Sequence, residues 1–247
     1  MSSTGSFSVH LIAGPTGTGK SRVATDLARR TGATVVVADR LQCFAEIATT
    51  SARAGADVPG VRRVWLCDRA VADGDYPAAE AVNALVGHVQ QIHASGVPVI
   101  VEGGSISLLT LLADRLHDLP WTVTPTVLTR PADPGQYLSD LTARAAEMLR
   151  PASPQPSLLR ELSTLWKDPA NRWFAASVNG FEAALEWSAK HSLSPESATA
   201  KNIPCRLMDE LSRMIAERHA EHGADQEKAF RHMFSRPVSG AAPVRAA

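Results

Sequence analysis

The stretch SVHLIAGPTGTGKS, residues 8–21, decides the fold. Ser8 to Ala13 is a short apolar run ending at a glycine, the pattern of a strand buried on both faces of a parallel sheet. Gly14 to Ser21 fit G-x-x-x-x-G-K-[ST], the phosphate loop (P-loop). Gly14 and Gly19 let the backbone curl so that successive N–H groups point inward at an anion. Lys20 reaches the terminal phosphate, the Ser21 hydroxyl can ligate Mg²⁺, and the next helix adds its positive N-terminal end. Lys20 to Arg30 supply that helix, with Val23, Ala24 and Leu27 on one face and Gly32 as its stop. A strand before the loop and an amphipathic helix after it separate this motif from a chance match. Such a loop specifies a diphosphate with a metal ion. It fits both phosphoryl transfer and reactions in which diphosphate leaves.

Outward from the loop, Thr34 to Ala38 is β-branched and apolar, a second strand with Asp39 and Arg40 just past its end. Val64 to Leu66 forms a short strand. Tyr76 to Ser95 has a helical period with Ala81, Leu85, Val89 and Ile92 inward. Val97 to Val101 is a third strong strand followed by Glu102-Gly103-Gly104, and Ser105 to Leu112 is a helix capped by Ser105. Trp121 to Leu128 is a weaker strand that Pro125 keeps from a central position. Beyond it only helical patterns follow, at Asp133 to Leu149, Leu158 to Trp166, Phe181 to Lys190 and Arg206 to Glu221, with a proline cluster at 151–156. Strands alternating with helices, then helices alone, predict an α/β fold: a P-loop NTPase-like parallel sheet flanked by helices, with a C-terminal helical subdomain. The divisions expected are a core over 1–130, the helical part over 131–234, and a loose tail over 235–247 rich in Pro, Ala and Gly.

The 247 residues suffice for one sizeable core. Lys plus Arg equals Asp plus Glu at 25 each, so the net charge of zero gives no overall pull toward nucleic acid or an anionic membrane. No apolar run approaches the length of a membrane span, and no basic segment precedes the first apolar run. Cys43, Cys67 and Cys205 are odd in number and widely spaced, which suggests neither a disulfide framework nor a metal site. A cytoplasmic protein is expected.

Ligands of open α/β sheets bind beyond the carboxyl ends of the strands. Asp39 stands there, where a carboxylate can orient an acceptor or take its proton, although a turn aspartate fits the position equally. Glu102 could serve a metal as NTPase carboxylates do. Gly103 and Gly104 permit close approach of a ligand, or simply a tight strand-to-helix turn. A small-molecule kinase would use Asp39 on a hydroxyl acceptor, but only the stretch Arg53–Arg63 offers material for its arginine lid.

Several segments together resemble one family. Gly14-Pro15-Thr16-x-Thr18-Gly19-Lys20, Asp39-Arg40-x-Gln42-Cys43 and Glu102-Gly103-Gly104-Ser105-Ile106-Ser107-Leu108-Leu109 are similar to motifs of the bacterial adenylate isopentenyltransferases. So are Arg144 with Met148-Leu149-Arg150-Pro151, Glu161-Leu162 with Leu165-Trp166-Lys167-Asp168-Pro169, and Gly180-Phe181. The resemblance runs in order through nearly the whole chain. The tRNA dimethylallyltransferases share the Gly-Pro-Thr loop but typically continue with Asp-Ser-x-Gln-Val-Tyr and Gly-Gly-Thr-Gly, where this chain has Asp39-Arg40 and Gly103-Gly104-Ser105. A tRNA acceptor stands as the alternative.

The resemblance implies transfer of a five-carbon dimethylallyl group, or its 4-hydroxy analogue, from the diphosphate to N6 of AMP. Diphosphate leaves, in the first step of cytokinin synthesis. By the same resemblance, Gly14, Pro15, Thr16, Gly17, Thr18, Gly19, Lys20 and Ser21 hold the diphosphate with Arg144 as a further clamp. Ser21 serves Mg²⁺. Asp39 accepts the N6 proton, with Lys20, Thr16 and Arg144 completing the catalytic set. Arg40, Ser51, Gly103, Gly104 and Ser105 surround AMP. Family members that use the hydroxylated donor have an Asp before the Gly-aromatic pair and a histidine in the C-terminal helix. Here Asn179 replaces the Asp, and His219 and His222 are both candidates for the histidine. Trp166 and Trp173 are expected to pack rather than stack on adenine. The implied partners are AMP and dimethylallyl diphosphate, with no nucleic acid and no membrane. A monomer is favoured, and AMP over ADP or ATP rests on the resemblance alone.

Overall fold

Five runs of apolar and β-branched residues pair into one sheet in this computed structural model, which describes residues 7–55, 58–198 and 203–234. The strands are β1 Phe7–Ala13, β2 Thr34–Val37, β3 Arg63–Trp65, β4 Val99–Gly103 and β5 Trp121–Val127, all parallel, in the order β3-β2-β4-β1-β5. β2 and β4 are buried at every residue, as strands covered on both faces must be. Pro125 lies opposite Leu11 on β5, an edge strand, where its missing N–H breaks no ladder. β4 runs two residues past the apolar run, so Glu102 and Gly103 belong to the strand.

Among the described residues the α-helices are α1 Lys20–Thr31, α2 Ala78–Ala94, α3 Ile106–Asp114, α4 Pro134–Leu149, α5 Leu158–Trp166, α6 Arg172–Ala176, α7 Asn179–Lys190 and α8 Cys205–Phe234. One sheet face packs on α1 through Ile12, Val35 and Ile100 against Ala24 and Ala28, with Val23 and Leu27 flanking. The other face meets α2, whose Ala81, Leu85, Val89 and Ile92 are buried, and α3. That second core continues without a break into Leu158, Phe181, Trp187, Ile215 and Phe230, so the helices after residue 131 share an apolar core with the sheet. The tail expected over 235–247 lies outside the described residues.

Three local expectations need correction. α8 does not end near Glu221 but runs 30 residues to Phe234, because Gly223 is used for packing rather than as a stop. A Cβ on Gly223 would lie 2.4 Å from the Tyr137 hydroxyl of α4. Ser105 occupies the N-cap position of α3, but its side chain makes no capping bond. Trp166 packs partly buried, with the Arg172 guanidinium over its ring. Trp173, in contrast, is 54% exposed, because Phe174 and Ala175 take the inward positions of the short α6.

Candidate active site

The phosphate loop joins β1 to α1. Gly19 is the N-cap of α1 at φ 82°, a left-handed conformation that a side chain would strain. The Lys20 ammonium donates to the Pro15 carbonyl at 2.6 Å, and the Thr18 hydroxyl donates to the same oxygen at 2.8 Å. Burial lowers the Lys20 pKa to about 8, against the opposing pull of Glu102 and Asp39.

Behind Ser21 lies a buried ion pair. The Ser21 hydroxyl donates to Glu102 Oε1 at 3.0 Å. Arg63, from β3, donates to that same oxygen at 2.8 Å, and both side chains of the pair are 3% exposed. The second arm of Arg63 donates to the Ser21 carbonyl and the Thr25 hydroxyl. Arg53 donates to the Gln42 and Cys43 carbonyls, pairs with Asp68 and lies over the Trp65 ring. The two arginines bounding the candidate lid are therefore built into the framework. Residues 56 and 57 lie outside the described residues.

Asp39 follows β2. Its Oδ1 accepts from the Leu41 N–H at 3.0 Å, and Gln42 reaches Oδ2 at 3.5 Å. Burial raises its pKa, while the Leu41 bond and Lys20 hold it down. Arg144, from α4, is recessed beside it, and burial lowers its pKa.

Lys20, Ser21, Asp39, Glu102 and Arg144 line one cavity of about 230 Å³, which also receives Ser51, Asn179, Gly180, His219 and His222. The Ser51 hydroxyl and His219 Nδ1 are buried without a hydrogen-bond partner among the described residues. Burial depresses the His219 pKa to about 4, so its ring is neutral at pH 7. His222 is shifted the same way for the same cause. A second cavity of about 600 Å³ adjoins the first and reaches Arg150 and Gln155. Both are lined by Ser21, Gln42, Ala52, Glu102, Arg144 and Met148, which form the waist between them.

Not every residue assigned to the site from sequence lines these cavities. Arg40 is drawn away by Asp75 and the Tyr76 carbonyl. Ser105 stands at the N-cap of α3 without a capping bond, and it lines neither cavity; nor do Gly14, Pro15 and Thr18 of the loop, the Thr18 hydroxyl being held by the Pro15 carbonyl. Gly103 and Gly104 line the first cavity, and each also has a packing reason to be glycine. A Cβ on Gly103 would lie 2.2 Å from the Ala38 carbonyl oxygen, and one on Gly104 would lie 2.9 Å from Gln226 Nε2.

Three residues bearing on the site go unassigned from sequence, Tyr137, Glu161 and Gln226, and Arg63 reads there only as lid material. Glu161, from α5, accepts from the Thr49 and Thr50 N–H groups at 2.8 and 3.0 Å and from the Thr50 hydroxyl at 2.6 Å. It thereby fixes the segment that aims Ser51 at the cavity. Burial pushes its pKa up and these bonds pull it down. Glu161→Gln replaces one acceptor oxygen with an NH₂ facing N–H donors. The expected loss is about 1–3 kcal/mol, read from the denaturant midpoint at unchanged m-value.

Residues 7–240 match the isopentenyl transferase family. The chain is similar to the adenylate dimethylallyltransferase of Rhodococcoides fascians, with 37% identity over 93% of this chain and 90% of that protein. It is also similar to the adenylate dimethylallyltransferase of Ralstonia solanacearum, with 34% identity over 90% of this chain and 93% of that one. Among solved structures, the tRNA isopentenylpyrophosphate transferase of Bacillus halodurans superposes with a TM-score of 0.70 over 91% of this chain and 86% of that chain. At 14% identity, that likeness concerns the fold alone.

Proposed function

The chain belongs to the isopentenyl transferase family, and from that premise we propose that it transfers a dimethylallyl group from dimethylallyl diphosphate to N6 of AMP, releasing diphosphate. The observation that carries this reading is a phosphate loop whose lysine shares one cavity with a recessed carboxylate, Asp39. The donor's diphosphate lies in the loop with Lys20 and Arg144 beside it. Arginine suits that place because its fork bonds two phosphate oxygens at once. The C1–O bond is allylic, so charge separates readily once the leaving diphosphate is neutralised. Adenine N6 is a weak nucleophile because its lone pair is delocalised into the ring. The N6 lone pair forms the new N–C bond as the C1–O bond breaks, and Asp39 takes the displaced N6 proton. The cavity waist at Arg144 and Met148 is where donor and acceptor would meet.

Mg²⁺ suits this donor set. Among the described residues no group of three or more His, Cys, Asp or Glu is placed to hold a metal. Ser21 offers a hydroxyl beside the Glu102 carboxylate, and hard oxygen donors completed by substrate phosphates are what Mg²⁺ prefers. Bound there, it would neutralise charge on the departing diphosphate.

Incubating the protein with AMP, dimethylallyl diphosphate and Mg²⁺ should give AMP heavier by one prenyl unit in the mass spectrum. ADP, ATP and unmodified tRNA are parallel acceptors. Product on tRNA but not on AMP would replace this reading with the alternative acceptor. Among the described residues no helix is long and apolar enough to cross a membrane, and the three cysteines are free thiols. Free thiols suit a reducing compartment, which supports reading the chain as a cytoplasmic enzyme acting on small molecules.

The far end of the cavity sets the donor choice. Gly180 brings the chain against His219, since a Cβ there would lie 3.9 Å from Nε2. Asn179 and a neutral His219 can each hydrogen-bond a 4-hydroxyl, but neither carries charge. Dimethylallyl diphosphate and its 4-hydroxy analogue competing in one reaction should be used within about tenfold of each other, a difference of roughly 1.4 kcal/mol. A hundredfold bias would show that this wall discriminates.

A further inference from the structure

We propose that Gln226 of α8 and Tyr137 of α4 are positioning residues that latch the phosphate loop in its diphosphate-binding shape. Both act on one loop residue. The Thr16 N–H donates to Gln226 Oε1 at 2.8 Å, and the Thr16 carbonyl accepts from the Tyr137 hydroxyl at 2.7 Å. Gln226 Nε2 donates in turn to the Gly104 carbonyl at 2.6 Å. One amide side chain thus ties the loop after β1 to the turn after β4, from a helix 210 residues along the chain.

Three features show that the latch is built rather than incidental. Gln226 is 4% exposed and Tyr137 3%. Gly104 and Gly223 leave the space that the two side chains occupy, since a Cβ at either would collide with them. The neighbouring Glu227 pairs with Arg130, just past β5, at 2.6 Å, which fixes this turn of α8 against the end of the sheet, and Arg231 one turn on along α8 holds the same carboxylate at 2.7 Å.

The latch has a functional consequence. A phosphate loop works by the direction of its N–H groups. The two bonds to Thr16 set the peptide planes on either side of it, and so the inward aim of the amides that follow. Gln226 also shares a face of α8 with His219 and His222, seven and four residues earlier, and all three line the first cavity. The same helix therefore holds the loop at one end of the cavity and forms its wall at the other. Loosening the latch should weaken the diphosphate partner selectively.

This inference rests on Gly14–Ser21 being a diphosphate cradle, and the test separates the two. Titrate Mg²⁺ with inorganic diphosphate, and separately AMP, into the intact protein by calorimetry. Wild type should bind diphosphate. Gln226→Met, which keeps the shape but no polar atom, should raise the diphosphate Kd by tenfold or more and leave that for AMP within twofold. Tyr137→Phe should raise it by threefold or more. In turnover, KM for dimethylallyl diphosphate should rise while KM for AMP holds. Because both residues act on Thr16, the double variant should lose less than the product of the single losses. Circular dichroism melts identify a variant that has merely unfolded, and Tyr137→Phe then carries the test. If wild type binds no diphosphate, both the cradle and its latch are overturned. If wild type binds and the folded variants bind equally or more tightly, or lose diphosphate and AMP in parallel, the latch alone is overturned.

Discussion

Replacing Asp39 with Asn lowers the rate of AMP prenylation by about 10²–10⁴-fold, the usual worth of a positioned general base, while diphosphate still binds. Asn is nearly isosteric and keeps an oxygen for the Leu41 N–H that orients the side chain, so the change isolates proton acceptance. Burial raises the Asp39 pKa and Glu102 adds to that rise, while the Leu41 N–H and Lys20 hold it down. The sign of the pH effect follows. A carboxyl whose pKa is raised gains its proton at a higher pH than a free one, and once protonated it cannot take the N6 proton. The value of kcat/KM for AMP should therefore fall on the acid side, beginning above the ordinary carboxylate range. The Asn variant should lack that limb. Retention of a tenth or more of the wild-type rate by Asp39→Asn, with the acid limb intact, would falsify its role as base.

What the sequence makes legible is what local pattern determines. The five strands stand in it as short β-branched or apolar runs, and the phosphate loop as a fixed spacing of glycines and lysine. Asp39 is found because it follows a strand, and strand ends face the ligand in this architecture. The limits are equally physical. Gln226 meets Thr16 only because α8 packs back across the end of the sheet, and no periodicity in α8 distinguishes a glutamine that reaches the loop from one in solvent. Arg63 stands just before the run that reads as a strand and falls within the candidate lid, yet it neutralises Glu102 behind Ser21. Arg40 is the converse: its place beside Asp39 suggested a ligand contact, but Asp75 and the Tyr76 carbonyl claim the guanidinium. The C-terminal histidines, ambiguous on spacing, both reach the cavity because three residues along a helix is nearly one turn.

The alkaline side of the pH profile should belong to Lys20. Its pKa of about 8 has burial as the first cause and Arg144 as a second depressing influence, with Glu102 and Asp39 opposing. An ammonium with a lowered pKa is charged below that value and neutral above it. At pH 7 the loop keeps its cation in roughly nine molecules of ten, and at pH 9 in about one of ten. The diphosphate seeks that cation, so kcat/KM for dimethylallyl diphosphate should fall about tenfold per pH unit above 8. Bound diphosphate places negative charge against the ammonium and raises its pKa. The alkaline limb of kcat should therefore lie at higher pH than that of kcat/KM. Lys20→Met preserves the stem and removes the charge. It should reduce kcat/KM for the donor by about 10²–10³-fold, the usual cost of one lost electrostatic stabiliser, and erase the alkaline limb. Steady-state profiles of both proteins between pH 6 and about 10, bracketing the Lys20 value, separate the possibilities. If the two alkaline limbs coincide in wild type, diphosphate does not meet Lys20. If the limb persists in Lys20→Met, another group carries it, and the loop lysine is not the cation that receives the leaving group.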